Sequence, residues 1–69
     1  MEQVDKENLA RLVRRYRGEE RINQTEFAEK CDTKQRTISY LETENWARIS
    51  EEALTKIKDV LEFLTGWRL

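Results

Sequence analysis

The six residues INQTEF, which begin at Ile22, contain two helix-start signals and constrain the fold more than any other stretch of the chain. Asn23 is a good N-cap residue with Glu26 three positions later, which is the spacing of a capping box. Ile22 and Phe27 stand at the two positions of a hydrophobic staple, which fixes the angle at which the chain enters a helix. The stretch therefore predicts a helix over about residues 24–31.

Three more helices follow from apolar residues at helical spacing and from N-cap residues. One is predicted over about residues 6–18 with Asp5 as its N-cap, one over about 34–43, and one over about 51–65 after the N-cap Ser50. Glu51 and Glu52 in the first turn of the last helix interact favourably with the positive end of the helix dipole. The residues expected to face the core are Leu9, Leu12, Val13, Tyr16, Phe27, Ala28, Cys31, Ile38, Leu41, Leu54, Ile57, Leu61 and Leu64.

The connections between these helices are short. The 69 residues include no proline and only two glycines, and they form neither a repeat nor a low-complexity tract. We therefore expect an all-α fold with residues 1–69 in a single domain, a compact bundle of four to five short helices. A chain of this length buries only about 60 % of the surface that it exposes when unfolded, so its stability is small.

Composition excludes several classes of function. One cysteine, Cys31, and no histidine leave no internal disulfide and no zinc-finger spacing. No general base, nucleophile pair or metal cluster is evident, so we expect neither an enzyme nor a cofactor. The chain has no apolar run long enough for a membrane span, and its first residues are too polar for a signal peptide, which predicts a cytoplasmic protein.

The charge is unevenly distributed along the chain. Residues 11–36 have eight basic and five acidic side chains, a surplus of three positive charges, although the net charge of the whole chain is −1. A net negative charge argues against a protein that binds nucleic acid through bulk positive charge alone. A local basic segment remains compatible with specific binding.

The exposed face of the helix over 34–43 has an unusual composition for a surface that only has to be solvated. With Ile38 and Leu41 turned to the core, the opposite arc presents Lys34, Gln35, Arg36, Ser39 and Tyr40. Glutamine matches the edge of adenine, arginine and lysine match guanine, and a tyrosine ring can meet a thymine methyl or a phosphate. The face is therefore predicted to contact DNA bases, the alternative being an ordinary solvated surface.

Two short helices joined by a turn of three or four residues have the size of a helix-turn-helix. At this point the sequence resembles the small DNA-binding domains of the Cro/CI (XRE) type, as in the lambdoid phage repressors, over about residues 9–64. The resemblance depends on QTEFAEKCDTKQRTISYLE, residues 24–42, and on Arg17 seven positions earlier. The positions that match are Gln24, Phe27, Ala28, Cys31, Ile38, Leu41 and Glu42.

The resemblance implies roles for several residues. It implies that the helix over 34–43 enters the major groove, and that Arg17 and Glu42 form a structural ion pair. The chain also departs from the family pattern, since Asp32 stands where the turn usually has glycine, and Lys34 where a serine or threonine cap is common. We expect Asp32 to take a left-handed conformation, and either Asp32 or Thr33 to cap the helix in place of Lys34.

Contacts to the DNA backbone are predicted on both sides of that helix. Gln24 lies at the first position of its helix, where free backbone N–H groups and a side-chain amide can hold a phosphate. Asn45 and Arg48 lie in the loop that follows the base-contacting helix. Trp46 in the same loop can either reach the DNA backbone with them or cover the core, and the sequence does not decide between the two.

These observations favour a sequence-specific DNA-binding transcriptional regulator, with repression as the expected sign. The partner is double-stranded DNA with a pseudo-palindromic operator. No small-molecule effector is expected, since the 69 residues leave no room for a sensor domain. The alternative is a helix-turn-helix protein that binds another protein, such as an antitoxin or an accessory component, because a fold alone does not decide function.

A second apolar stripe on the last helix predicts a homodimer. It lies beside the core-facing residues and consists of Ala53, Val60, Phe63 and Trp67, with Leu69 just beyond. A pair of domains related by a two-fold axis would place two base-contacting helices about 34 Å apart on one face of DNA. The expected dimer contacts are Val60, Phe63, Trp67 and Leu69, the alternative being that Phe63 and Trp67 fold back to close the core.

Overall fold

A computed structural model describes residues 5–68 and contains four α-helices and no strand within that range. The helices are α1 (Lys6–Glu20), α2 (Gln24–Lys30), α3 (Gln35–Glu42) and α4 (Glu51–Thr65). A short 3₁₀ turn at Trp46–Arg48 lies between α3 and α4. The predicted all-α class is confirmed, and the optional fifth helix is not present as an α-helix among the described residues.

Local signals place the starts of three helices as predicted. The Asp5 side chain accepts from the Asn8 backbone N–H at 3.0 Å, and the Ser50 hydroxyl accepts from that of Ala53 at 3.1 Å. Asn23 and Glu26 form the complete capping box, each side chain accepting a bond from the backbone N–H of the other residue, at 2.8 and 3.1 Å. Each cap satisfies backbone donors that a helix leaves free at its first turn.

The start of α3 differs from the prediction. The helix begins at Gln35 rather than at residue 34, and Lys34 occupies the N-cap position without any side-chain cap hydrogen bond. The expectation that Asp32 or Thr33 would cap it is wrong. Asp32 does take the predicted left-handed conformation, with φ 54°. The Thr33 backbone N–H donates to the carbonyl of Ala28 at 3.0 Å, which closes the turn through the main chain.

The end of α1 also lies beyond its predicted position. The helix runs past residue 18 to Glu20, and Arg21 ends it in a left-handed conformation with φ 55°. The backbone N–H of Arg21 donates to the carbonyl of Arg17, as in a helix end that a glycine would usually form. Gly18 therefore lies within the helix, at a position where an added Cβ would meet no other atom within 4 Å.

All four α-helices contribute to one core. Its buried side chains include the predicted core set with one exception, and the Tyr16 and Phe27 rings meet with centroids 5.8 Å apart. The exception is Leu64, which is 38 % exposed. Ala10 and Ile49 are buried although periodicity alone did not select them. None of the helices in residues 5–68 combines the length and apolar character that crossing a bilayer requires.

Candidate functional site

Helix α3 separates its apolar and polar residues as the sequence pattern predicts. Ile38 and Leu41 are fully buried. On the other side, Lys34, Gln35 and Arg36 are exposed, whereas Ser39 and Tyr40 are half-buried. The five predicted base-contacting residues therefore share one accessible surface, which is most open at the N-terminal end of the helix.

An ion pair fixes α3 to α1. Nε and Nη2 of Arg17 donate to the two carboxylate oxygens of Glu42 at 2.7 and 2.6 Å. Nη1 of Arg17 also donates to the carbonyl of Ile22 at 3.3 Å. Only 7 % of the Glu42 side chain and 21 % of the Arg17 side chain are exposed. The hydrogen bond to Glu42 is the main cause of the raised pKa of Arg17, while desolvation of the guanidinium acts in the opposite direction.

Two glutamine side chains extend this ion pair to the exposed surface. Nε2 of Gln24 donates to the Glu42 carboxylate at 3.3 Å, and Oε1 of Gln24 accepts from Nε2 of Gln35 at 2.5 Å. A chain of hydrogen bonds thus runs from the half-buried Arg17 on α1, through Glu42 and Gln24, to Gln35 at the first turn of α3. The sequence indicated each of these residues separately but gave no sign that the two amides pair.

The pairing restricts what Gln24 can offer a phosphate. Its carbonyl oxygen and one of its amide N–H groups are bound within the protein, to Gln35 and Glu42. A side-chain amide has two N–H donors, so one donor of Gln24 remains for an external group. Gln35 keeps its carbonyl oxygen and its second N–H, because the only bond it makes among the described side chains uses one N–H.

The segment after α3 is held by several contacts to that helix. The backbone N–H of Asn45 donates to the carbonyl of Tyr40 at 2.8 Å, and its side-chain amide donates to the Thr43 hydroxyl at 2.9 Å. The indole N–H of Trp46 donates to the carbonyl of Leu41 at 3.1 Å, and its half-buried ring packs on the core. Of the two roles considered for Trp46, the structure favours covering the core.

Arg48 lies close to α3 without a carboxylate partner among residues 5–68. Its guanidinium carbon is 5.8 Å from the centre of the Tyr40 ring, within the range of a cation–π contact. Both side chains line an open cleft of about 450 Å³ between the start of α3 and the start of α4. The cleft is also lined by the charged residues Asp32, Lys34, Arg36, Glu52 and Lys56.

The charges around this cleft are only partly compensated within the protein. Lys56 lies 3.9 Å from carboxylate oxygens of both Asp32 and Glu52, so one cation is shared by the two acids. Within residues 5–68, Lys34 and Arg36 have no carboxylate within ion-pair distance. The cleft therefore has uncompensated positive charge at the edge that borders α3.

The predicted dimer residues are separated by the structure into two environments. Phe63 is 86 % exposed, whereas Val60 and Trp67 are half-buried and pack against the core. The guanidinium carbon of Arg15 lies 5.0 Å from the centre of the Trp67 ring. Trp67 thus folds back onto the core, as in the alternative to the dimer, whereas Phe63 stays exposed. The fourth predicted contact, Leu69, lies outside the described residues.

Cys31 is buried beside α2, and desolvation raises the pKa of its thiol to about 12. A thiol that stays protonated at neutral pH is a poor nucleophile. Among the described residues, no group of three or more histidine, cysteine, aspartate and glutamate side chains could hold a metal ion.

Comparisons with known proteins found no family model, no curated protein and no solved structure that matches this chain. The chemistry of the α3 surface is therefore what supports a function.

Proposed function

We propose that the protein is a sequence-specific DNA-binding transcriptional regulator that acts as a repressor. In this proposal α2 and α3 form a helix-turn-helix, α3 enters the major groove, and α2 lies across the DNA backbone. The support comes from the accessible side of α3, whose polar residues have the hydrogen-bonding groups that base edges require.

The observation that carries the proposal is the hydrogen bond from Gln35 to Gln24. It holds the Gln35 amide at the exposed first turn of α3, with one N–H engaged and with one N–H and the carbonyl oxygen free. Adenine in the major groove presents one acceptor and one donor, which is the complement of those two free groups. Because the amide is held before DNA arrives, less side-chain entropy is lost on binding.

Uncompensated cations near Gln35 support the same proposal. Lys34 and Arg36 flank it, and the first turn of α3 has no acidic residue. An arginine or lysine in the groove can bond guanine, and either can instead neutralise a phosphate. The positive edge of the cleft beside α3 provides attraction for DNA although the net charge of the chain is −1.

We further propose that the protein binds as a homodimer through α4, with Phe63 as the central contact. An aromatic side chain that is 86 % exposed at the surface of a small domain is more favourable when a partner covers it. A pseudo-palindromic operator would then match the two-fold axis of the dimer.

A protein-binding function is the second candidate, and the same exposed Phe63 together with the net charge of −1 favours it. In that case the helix-turn-helix would act as an antitoxin or accessory component, and α3 would contact a protein surface.

Selection of bound duplexes from a random-sequence pool tests the proposal. The wild-type protein should enrich a defined motif, and the Gln35→Ala/Arg36→Ala variant should enrich a weaker or different one. Both substituted side chains are exposed, so the variant should fold as the wild type does. Recovery of unselected sequences by the wild type would refute specific DNA binding and leave the protein-binding function as the better hypothesis.

A further inference from the structure

The position of Arg48 is determined by its neighbours in the chain. It is the last residue of the 3₁₀ turn, and its backbone N–H donates to the carbonyl of Asn45 at 3.1 Å. Trp46 on one side packs on the core, and Ile49 on the other side is buried. The backbone of Arg48 is therefore anchored from both directions while its side chain stays exposed.

Among the described residues, the Arg48 side chain makes no hydrogen bond and no ion pair, and its guanidinium carbon lies 5.8 Å from the centre of the Tyr40 ring. The ring is half-buried and packs on the core, so it is itself held in place. The Arg48 guanidinium lies over the face of this ring, and no hydrogen bond within residues 5–68 uses the Tyr40 hydroxyl. A guanidinium on that face also occupies the surface that would otherwise meet a thymine methyl.

Within residues 5–68, no acidic side chain lies within ion-pair distance of Arg48. Asp32 and Glu52 line the same cleft, but both lie beside Lys56. Arg48 therefore presents a full positive charge, on a fixed backbone and against a fixed ring, at the border of the α3 surface.

We propose that Tyr40 is a positioning residue rather than a base-contacting one, and that its ring holds the Arg48 guanidinium in place for a DNA phosphate beside the major groove. This inference rests on the proposed function and deepens it by assigning two of its residues to one backbone contact. It differs from the role predicted for Tyr40 from sequence, in which the ring or hydroxyl meets the DNA directly.

Four variants test the inference on a selected specific duplex and on a random duplex: Tyr40→Phe, Tyr40→Leu, Arg48→Ala and the double variant Tyr40→Leu/Arg48→Ala. Tyr40→Phe keeps the ring, so its affinity should stay within about twofold of the wild type. Tyr40→Leu should lose affinity about two- to tenfold, the range of a cation–π contact, and to the same extent on both duplexes. Arg48→Ala should lower the slope of log affinity against log salt by about one, as loss of one phosphate contact does.

The double variant should bind no more weakly than Arg48→Ala, because the ring acts only through the guanidinium. An independent measurement without DNA is the NMR shift of the Arg48 side-chain protons, which the ring current moves upfield in the wild type and in Tyr40→Phe but not in Tyr40→Leu. Thermal unfolding of each variant shows whether it still folds. If Tyr40→Leu does not fold, the salt slope of Arg48→Ala and the affinity of Tyr40→Phe still test the inference.

Three results would overturn the inference while leaving DNA binding intact. The first is that Arg48→Ala leaves the slope of log affinity against log salt unchanged. The second is that Tyr40→Phe loses affinity for the specific duplex only. The third is that the loss of affinity in the double variant equals the sum of the losses in the two single variants. Absence of any DNA binding by the wild type would instead refute the proposed function, and the inference with it.

Discussion

Glu42 at the end of α3 accepts two hydrogen bonds from Arg17 of α1, at 2.7 and 2.6 Å, in a parallel fork. The same carboxylate accepts a third bond from Gln24 of α2. One acidic side chain therefore connects three helices, and its position determines how α3 is presented at the surface.

The first prediction concerns this connection. Arg17→Met should lower the free energy of unfolding by about 2–4 kcal/mol, because it leaves the carboxylate of Glu42 almost buried and without its charge partner. In the double variant Arg17→Met/Glu42→Leu the free energy of unfolding should fall by less than in Arg17→Met, since no unpaired buried charge is left. Urea unfolding measures both, with exposed Arg11→Met as the matched control. A double variant less stable than Arg17→Met would contradict the explanation.

The second prediction separates base contacts from phosphate contacts. Gln35→Ala should weaken binding to the selected duplex by about 1–3 kcal/mol and relax the preference at one base position. Binding to random duplex should change little, because phosphate contacts are retained. Titration of both duplexes at a fixed salt concentration is the measurement. Equal losses on the two duplexes would show that Gln35 does not contact a base.

The third prediction concerns the N-cap of α3. Lys34→Ser should raise the free energy of unfolding by about 1 kcal/mol, because serine can cap the helix and lysine opposes its dipole. The same change removes a positive charge from the α3 surface that is proposed to contact DNA, so affinity for DNA should fall. Lys30→Ser at the end of α2 is a control that removes an equal charge away from this cap. A variant that is more stable and binds DNA as tightly as the wild type would show that Lys34 does not contact DNA.

The fourth prediction is a pH dependence of stability caused by Cys31. Its pKa is about 12 in the folded protein and near 9.0 in an unfolded chain. Above pH 9 the unfolded state therefore binds fewer protons than the folded state, and the free energy of unfolding falls by up to about 1.4 kcal/mol per pH unit. Between pH 7 and pH 10 the wild type should lose about 1.4 kcal/mol more than Cys31→Ala, as measured by denaturant unfolding at each pH. Parallel curves for the two proteins would contradict the assignment.

The fifth prediction concerns self-association through α4. Phe63→Ser should shift the protein from dimer to monomer in sedimentation equilibrium at tens of micromolar, with little change in stability, since the ring is 86 % exposed. Thr55→Ala, an exposed change elsewhere on α4, should leave the dimer intact. A wild type that is monomeric at these concentrations, and binds a single half-site as tightly as a palindrome, would refute the dimer.

Features that depend on neighbouring residues were predicted well. The capping box of Asn23 and Glu26 and the cap at Ser50 are local hydrogen bonds, so a few sequence positions determine them. The core faces of the helices follow from periodicity for the same reason. Leu64 is the exception: it lies in the last turn of α4 and is 38 % exposed.

Features that depend on chain geometry between helices were not predictable in the same way. Arg21 ends α1 in a left-handed conformation, which is uncommon for residues other than glycine, so the sequence did not indicate it. The bond between Gln24 and Gln35 joins residues eleven positions apart on different helices, and it exists only once α2 and α3 have packed. Resemblance suggested where the proposed DNA-contacting surface lies, but not the hydrogen bond between its two amides, because that bond depends on how α2 and α3 pack.

The indole of Trp46 gives the protein an internal optical reporter. Its N–H is bound to the carbonyl of Leu41, in the last turn of α3, and the ring is half-buried against the core. Indole emission moves to longer wavelength when the ring gains access to water, so loosening of α3 from the connection to α4 becomes visible as a spectral shift. In a Trp67→Phe background, Trp46 is the only tryptophan, and fluorescence follows the docking of α3 without any attached dye.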